Sequence, residues 1–135
     1  MLYSPWDISV LRERLLAART AAGHWEGELS SSPLSTATAI TALSTVGGHD
    51  AFIGRGLEWL AANQNADGGF GDALGCPSNI STTTLAWATL GSHDAPGAAA
   101  AERWLKERVG EPLTAESMTL AISAVYGEDR TFSVP

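Results

Sequence analysis

Apolar and small residues in this chain fall into two kinds of helical stretch. Leu11-Arg12-Glu13-Arg14-Leu15 and Glu102-Arg103-Trp104-Leu105-Lys106 put charge on one face and leave the other apolar. The stretches from Ala37 to Leu43 and from Thr83 to Leu90 carry no charge at all. A helix that is apolar or small all round is one that a fold encloses. No run shows the period of two that a half-buried strand requires. The pattern predicts helices over 5–20, 34–46, 51–63, 81–91, 95–108 and 113–126. The uncharged ones should form an inner layer and the charged ones an outer layer, the geometry of a solenoid or an α/α toroid.

The pattern also repeats. His49-Asp50-Ala51 returns 44 residues later as His93-Asp94-Ala95. Trp59-Leu60 returns 45 residues later as Trp104-Leu105, and Gly23-His24-Trp25 returns at the same spacing as Gly68-Gly69-Phe70. Ser35 to Ile40 resembles Thr82 to Trp87, and both resemble Ser117 to Ile122. A period in this range is the signature of stacked supersecondary units. The expectation is a single domain, 1–135, of three helix pairs at approximately 1–47, 48–91 and 92–135, the third lacking a glycine-rich turn. The punctuation agrees. Ser4-Pro5-Trp6-Asp7 and Ser32-Pro33 offer a serine N-cap followed by proline at the first helical position. Asp50 and Asp94 stand where caps or first-turn acids would serve the third and fifth helices.

Composition changes the picture only by exclusion. The formal net charge is −7 and the pI about 4.7. That opposes attraction to nucleic acid, which needs clustered Lys and Arg. Electrostatic docking on anionic lipid is disfavoured too, while an apolar contact with a membrane stays open. Cys76 is the single cysteine, so no internal disulfide forms and a reducing compartment fits. The first residues lack the basic start and apolar run of a signal peptide, and no segment approaches the roughly 20 apolar residues of a membrane span. The expected location is the cytoplasm, with peripheral membrane contact left open.

The most specific stretch runs from Arg55 to Phe70. A glutamine near a helix C-terminus, Gln64, can reach exposed backbone groups where the next helix starts. Gly68 and Gly69 permit a tight reversal, and the ring of Phe70 can cover the polar cross-link. Arg55-Gly56, Trp59, Gln64, Gly68 and Phe70 resemble the QW repeat of squalene-hopene cyclases and related triterpene cyclases. That repeat reads basic, small, aromatic, aliphatic, then Gln, then Gly-x-Trp; here Phe70 takes the place of the tryptophan. The turn Gly23-His24-Trp25-Glu26-Gly27-Glu28-Leu29 and the tail from Tyr126 to Pro135 resemble segments of the same family. The resemblance implies an all-α fold of helix-pair repeats, a partial α/α toroid of about half an (α/α)6 barrel. It implies the N-terminal portion of a longer toroid, or a short relative, connected with a polyprenyl substrate. The motif residues would be structural.

The chemistry of that family begins with a tuned carboxylic acid that protonates an alkene or epoxide, in an Asp-x-Asp-Asp cluster. No such cluster occurs here, and Asp67, Asp72, Asp94 and Asp129 are scattered. No catalytic residue is carried over, and the chain is expected to be catalytically incomplete by itself. No cofactor and no metal is expected. His24 with Glu26 and Glu28 reads as a solvated turn, and His49 and His93 as duplicated helix-start residues rather than ligands. Protein prenyltransferase β subunits and thioester proteins share the toroid, but Cys76 has neither the Asp-x-Cys spacing of the first nor the glutamine of the second. Trp59 and Trp104, on outer helices, read as packing residues. Trp87, on an inner helix, is the candidate to line a cation-stabilising cavity for an isoprenoid ligand. The other reading is a non-catalytic repeat module that binds a partner or self-associates. A half ring leaves uncharged inner helices exposed, at a cost of roughly 25 cal/mol per Å². A homo-oligomer or the remainder of a toroid should cover them, burying more than about 1,200 Å² in total.

Overall fold

The computed structural model describes residues 7–126, and among them it has six helices and no strand. They are α1 (Ile8–Ala17), α2 (Pro33–Val46), α3 (Asp50–Ala62), α4 (Ile80–Ser92), α5 (Ala98–Val109) and α6 (Ala115–Tyr126). The inner helices, uncharged but for Glu116 of α6, lie side by side, α4 between α2 and α6, while α3 packs on α2 and α5 on α4. The chain is all-α and two-layered, an arc of the α/α kind. The tightest inner–outer pairs, α2 with α3 and α4 with α5, join consecutive sequence repeats rather than the two halves of one.

Small and hydroxylated residues let the inner helices approach. Thr89 Oγ1 meets Thr41 Oγ1 at 3.2 Å and donates to the Ala37 carbonyl at 3.3 Å, so buried hydroxyls find partners across the α2–α4 seam. One core cluster joins Ala37 and Ile40 of α2 with Ile53 and Leu60 of α3, Phe70, Ala86 and Leu90 of α4, and Ala101 of α5. A second joins Trp104, Leu105 and Met118, and Trp87 packs against both.

The caps explain where the helices begin. Ser32 accepts from the Ser35 N–H at 3.3 Å with Pro33 at the first helical position. Asn79 caps α4 by accepting from Thr82 N–H at 2.9 Å. Thr114 and Ser117 cap α6 reciprocally: each hydroxyl accepts from the other's backbone N–H, at 3.1 and 3.0 Å. The expected cap at Ser4-Pro5 lies outside the described residues. Within them α1 is capped by Asp7, which accepts from Ser9 N–H at 2.9 Å.

The expected cap at Asp94 is a correction. Asp94 has a positive φ of 49° and ends α4 instead of starting α5. The Ala95 N–H reaches the Leu90 carbonyl at 2.9 Å and the Asp94 N–H reaches Gly91 at 3.3 Å, a Schellman closure in which an aspartate takes the left-handed position. Pro96 follows, and α5 starts at Ala98 with Gly97 as its N-cap, three residues later than expected. So His49 and His93 are not equivalent: His49 precedes α3 directly, while His93 closes α4. Asp50 does sit in the first turn of α3.

Leu90 and Leu105 are fully buried. Truncation of either to alanine should cost about 2–5 kcal/mol in denaturant unfolding. Leu29, 98 % exposed, should tolerate the same change within about 0.5 kcal/mol.

Candidate functional site

The polar machinery of the described residues concentrates in the turn between α3 and α4. Asn63 ends α3, and Gln64 follows it. The Gln64 Nε2 donates to the Gly68 carbonyl at 2.7 Å and to the Gly97 carbonyl at 3.0 Å. The first bond closes the turn. The second reaches across 33 residues to the N-cap of α5. One amide therefore ties the end of one outer helix to the beginning of the next. Gly97 suits the contact on two counts: its φ is +96°, and a Cβ there would stand 2.8 Å from Gln64 Oε1.

Phe70 fastens the turn to the inner layer. Its ring is fully buried, and its backbone N–H donates to Thr83 Oγ1 at 2.9 Å. The Phe70 carbonyl accepts from the Asn79 N–H at 3.0 Å, the residue that caps α4. Asp67 holds the other side. Its carboxylate accepts from the Gly69 N–H at 3.0 Å, from Ser78 Oγ at 2.7 Å and from the Trp104 indole N–H at 2.8 Å. Asp72 accepts from Asn79 Nδ2 at 2.8 Å and from the Thr82 hydroxyl. A Cβ on Gly69 would lie 2.8 Å from the Trp104 ring, so the turn lies flat against α5 only because that residue has no side chain.

Both carboxylates are held ionised. Burial pushes Asp67 upward, but hydrogen bonds from Ser78, the Gly69 backbone and Trp104, with the charge of Arg108, outweigh it and hold the group below its ordinary value. Asp72 is lowered by the hydrogen bonds of Thr82 and Asn79 against a smaller effect of burial. The Arg108 guanidinium stacks 3.8 Å over the Trp104 ring, which places its charge near Asp67.

Gln64, Gly68 and Phe70 thus come together in one turn. Gly56 serves a different contact: a Cβ there would lie 2.9 Å from Ile40 Cδ1, so the glycine sets the approach of α3 to α2. Trp59 is half-buried beside the first core cluster. Arg55 stays apart, exposed, with its guanidinium 4.6 Å from the Phe52 ring. Trp87 packs between the two clusters and edges an open groove with Glu102, Lys106, Glu111, Pro112 and Leu113. Lys106 pairs there with Glu102 at 3.0 Å and Glu111 at 3.3 Å. His24 pairs with Glu26 at 2.9 Å in an exposed turn. Cys76 is free and exposed in the same loop as Asp72. Among the described residues no group of three or more His, Cys, Asp or Glu gathers as a metal site would need. None of the helices is long and apolar enough to cross a membrane.

Sequence reasoning passed over Asp67, Asp72, Asn79, Thr83 and the far end of the Gln64 bond. Two signals were present. Asp67-Gly68 is a turn dipeptide whose carboxylate reaches the N–H two residues on, and Asn79 stands three residues before Thr82 at a helix start.

Two layers of helices, cross-tied by a glutamine from the end of one outer helix to the start of the next, define an α/α helix-pair repeat protein. The chain belongs to the squalene-hopene cyclase N-terminal domain family, which it matches over residues 8–135. Among curated proteins, none matches it.

The Gln64→Ala variant should lose about 1–3 kcal/mol, because the Gly68 carbonyl loses its amide donor and the Gly97 carbonyl keeps only the Ala101 N–H. Phe70→Ala should lose about 3–5 kcal/mol. Unchanged melting of both would show that the turn does not bind the layers. The carboxylates set a pH dependence. Each has a lowered folded value, so each adds stability above its ordinary value of about 4, and that stability is lost as pH falls through the lowered value. Denaturant unfolding should therefore weaken as the pH falls below about 4. Asp67→Asn should be less stable at neutral pH and show a shallower loss on acidification.

Proposed function

We propose that this chain is the N-terminal portion of a terpene-cyclase-like protein acting on a polyprenyl substrate, and that its share of the work is scaffold. The observation that carries the reading is the Gln64 cross-link between outer helices in a chain of this family. Arg55, Gly56, Trp59, Gln64, Gly68 and Phe70 then form a QW-type repeat, one of three helix-pair units in a single domain. Generating a carbocation by protonation needs an acid that is protonated at working pH. Asp67 and Asp72 are the reverse, carboxylates held ionised by donors. The acid belongs to another part of a complete cyclase, and the product-forming cavity is shared with that part. Trp87 is the inner-helix aromatic best placed to meet an isoprenoid. The working location is the cytoplasm, beside the membrane that holds so apolar a substrate.

A non-catalytic interaction module is the second reading, and the exposed apolar side chains of α1 favour it. The two separate experimentally. Gas chromatography of the purified chain with squalene should reveal no cyclic product. A chimera carrying this chain in place of the matching segment of a squalene-hopene cyclase should form product. Product from the chain alone, or a folded but inert chimera, would overturn the scaffold reading.

A further inference from the structure

Where α2 and α4 finish and α3 begins, the structure holds an open cavity of about 400 Å³. Ser44 comes to it from the last turn of α2, Asp50 from the first turn of α3 and His93 from the C-cap of α4. Ile53, Gly54 and Leu57 of α3 give it an apolar wall. All three elements are interior ones, with a described helix on either side in the chain. The volume suits a small organic ligand, for which pockets run from roughly 300 Å³ upward.

Gly54 indicates that the space is kept open against the helix's own preference. It lies inside α3 with ordinary helical backbone, where glycine is destabilising relative to alanine. Neither structural reason for a helical glycine applies. Its φ is not left-handed, and a Cβ there would meet nothing within 4 Å among the described residues. Gly56, two residues on, differs, since its Cβ would stand 2.9 Å from Ile40. At the 45-residue spacing that relates Trp59 to Trp104, Gly54 matches Ala99 of α5, so this position of the unit accepts a side chain. What the missing methyl leaves is room in the cavity that Gly54 lines.

The polar rim sets what can enter. Ser44 Oγ donates to the Ile40 carbonyl at 2.7 Å, so in its 3.1 Å contact with His93 Nε2 the ring is the donor. That assignment leaves Nδ1 of the ring an acceptor. Asp50 adds a carboxylate. The rim therefore accepts hydrogen bonds and carries negative charge, on a chain whose net charge is −7. An anion is repelled there and a cation attracted. We propose that this cavity binds a small organic amine, its ammonium group paired with Asp50 and its apolar body lying on Ile53, Leu57 and the space over Gly54. The proposal does not rest on the cyclase reading, and either can fail without the other.

Titration of the 135-residue chain with cyclohexylamine at neutral pH, followed by proton–nitrogen correlation spectra, tests it. Amides around the cavity in α2, α3 and α4 should shift saturably, with a dissociation constant of about 1 mM or below. Cyclohexanol, the neutral isostere, should bind about tenfold more weakly, and cyclohexanecarboxylate more weakly still. Asp50→Asn should weaken the amine by about tenfold and leave the alcohol unchanged. Gly54→Ala should raise the melting temperature, because its methyl enters open space while the unfolded chain loses freedom. Gly54→Val should keep the helical circular dichroism and lose the amine. An amine that binds no better than the alcohol, a carboxylate that binds best, or an affinity indifferent to Asp50→Asn would overturn the proposal. So would a Gly54→Ala chain less stable than the wild type, since packing would then require the glycine.

Discussion

A helix that ends inside a packed structure leaves carbonyls and N–H groups that have no partner along its own axis. Between two such ends in this chain one side-chain amide, that of Gln64, forms a tie, donating to a carbonyl of the turn that leaves α3 and to the carbonyl at the start of α5. An asparagine would be shorter by a methylene, and a lysine could donate but would bring a charge to a half-buried seam. The late start of α5 goes with the same contact. The Schellman closure at Asp94 and the left-handed Gly97 bring the Gly97 carbonyl near Gln64, where it accepts from the Gln64 amide at 3.0 Å as well as from the Ala101 N–H of its own helix at 3.0 Å.

Behind the cross-link the inner layer works by smallness. Alanine and threonine on α2 and α4 keep the seam free of charge, and the hydroxyls of Thr41 and Thr89 meet each other and find carbonyls of the same or the neighbouring helix. Gly56 brings α3 down onto Ile40, and Gly69 brings the turn onto Trp104. Close approach of this kind concentrates van der Waals contact where a larger side chain would hold the layers apart. It also makes α4 the hub of the structure, touching α2, α5 and α6, with Thr83 binding the turn at Phe70.

The helices and their layering were legible in the sequence because they rest on local periodicity and on the distribution of charge. Ser32-Pro33 is a complete local signal, and α2 begins there. Gln64 was legible as a residue able to reach a neighbouring helix start; its partner was not, because Gly97 lies 33 residues away and the choice of carbonyl depends on how α4 ends. Asp94 misled for the same reason. Aspartate is favoured at an N-cap and enters the left-handed region only occasionally, so its identity pointed the wrong way; the deciding feature was the proline-glycine pair after Ala95. Asp67 and Asp72 looked scattered along the chain because the donors that gather around them come from Ser78, Asn79, Thr82 and Trp104, side chains brought together only when the loop folds.

That gathering bears on chemistry as well as on structure. A carboxylate can be recruited as a general acid when burial outweighs its hydrogen bonds, and as a brace when the balance runs the other way. Asp67 shows both forces, with burial the largest single influence and the sum of four stabilising partners larger still. The same competition between local identity and surroundings governs the apolar residues. Leu15, Leu60 and Leu105 are one residue type at one position of the repeat, yet only the latter two are enclosed. Side-chain hydrophobicity is the same in all three, so it is the neighbouring inner helix that decides burial. A repeat unit of this kind is therefore a half-interface, stable in the interior of an array and demanding a partner at its ends.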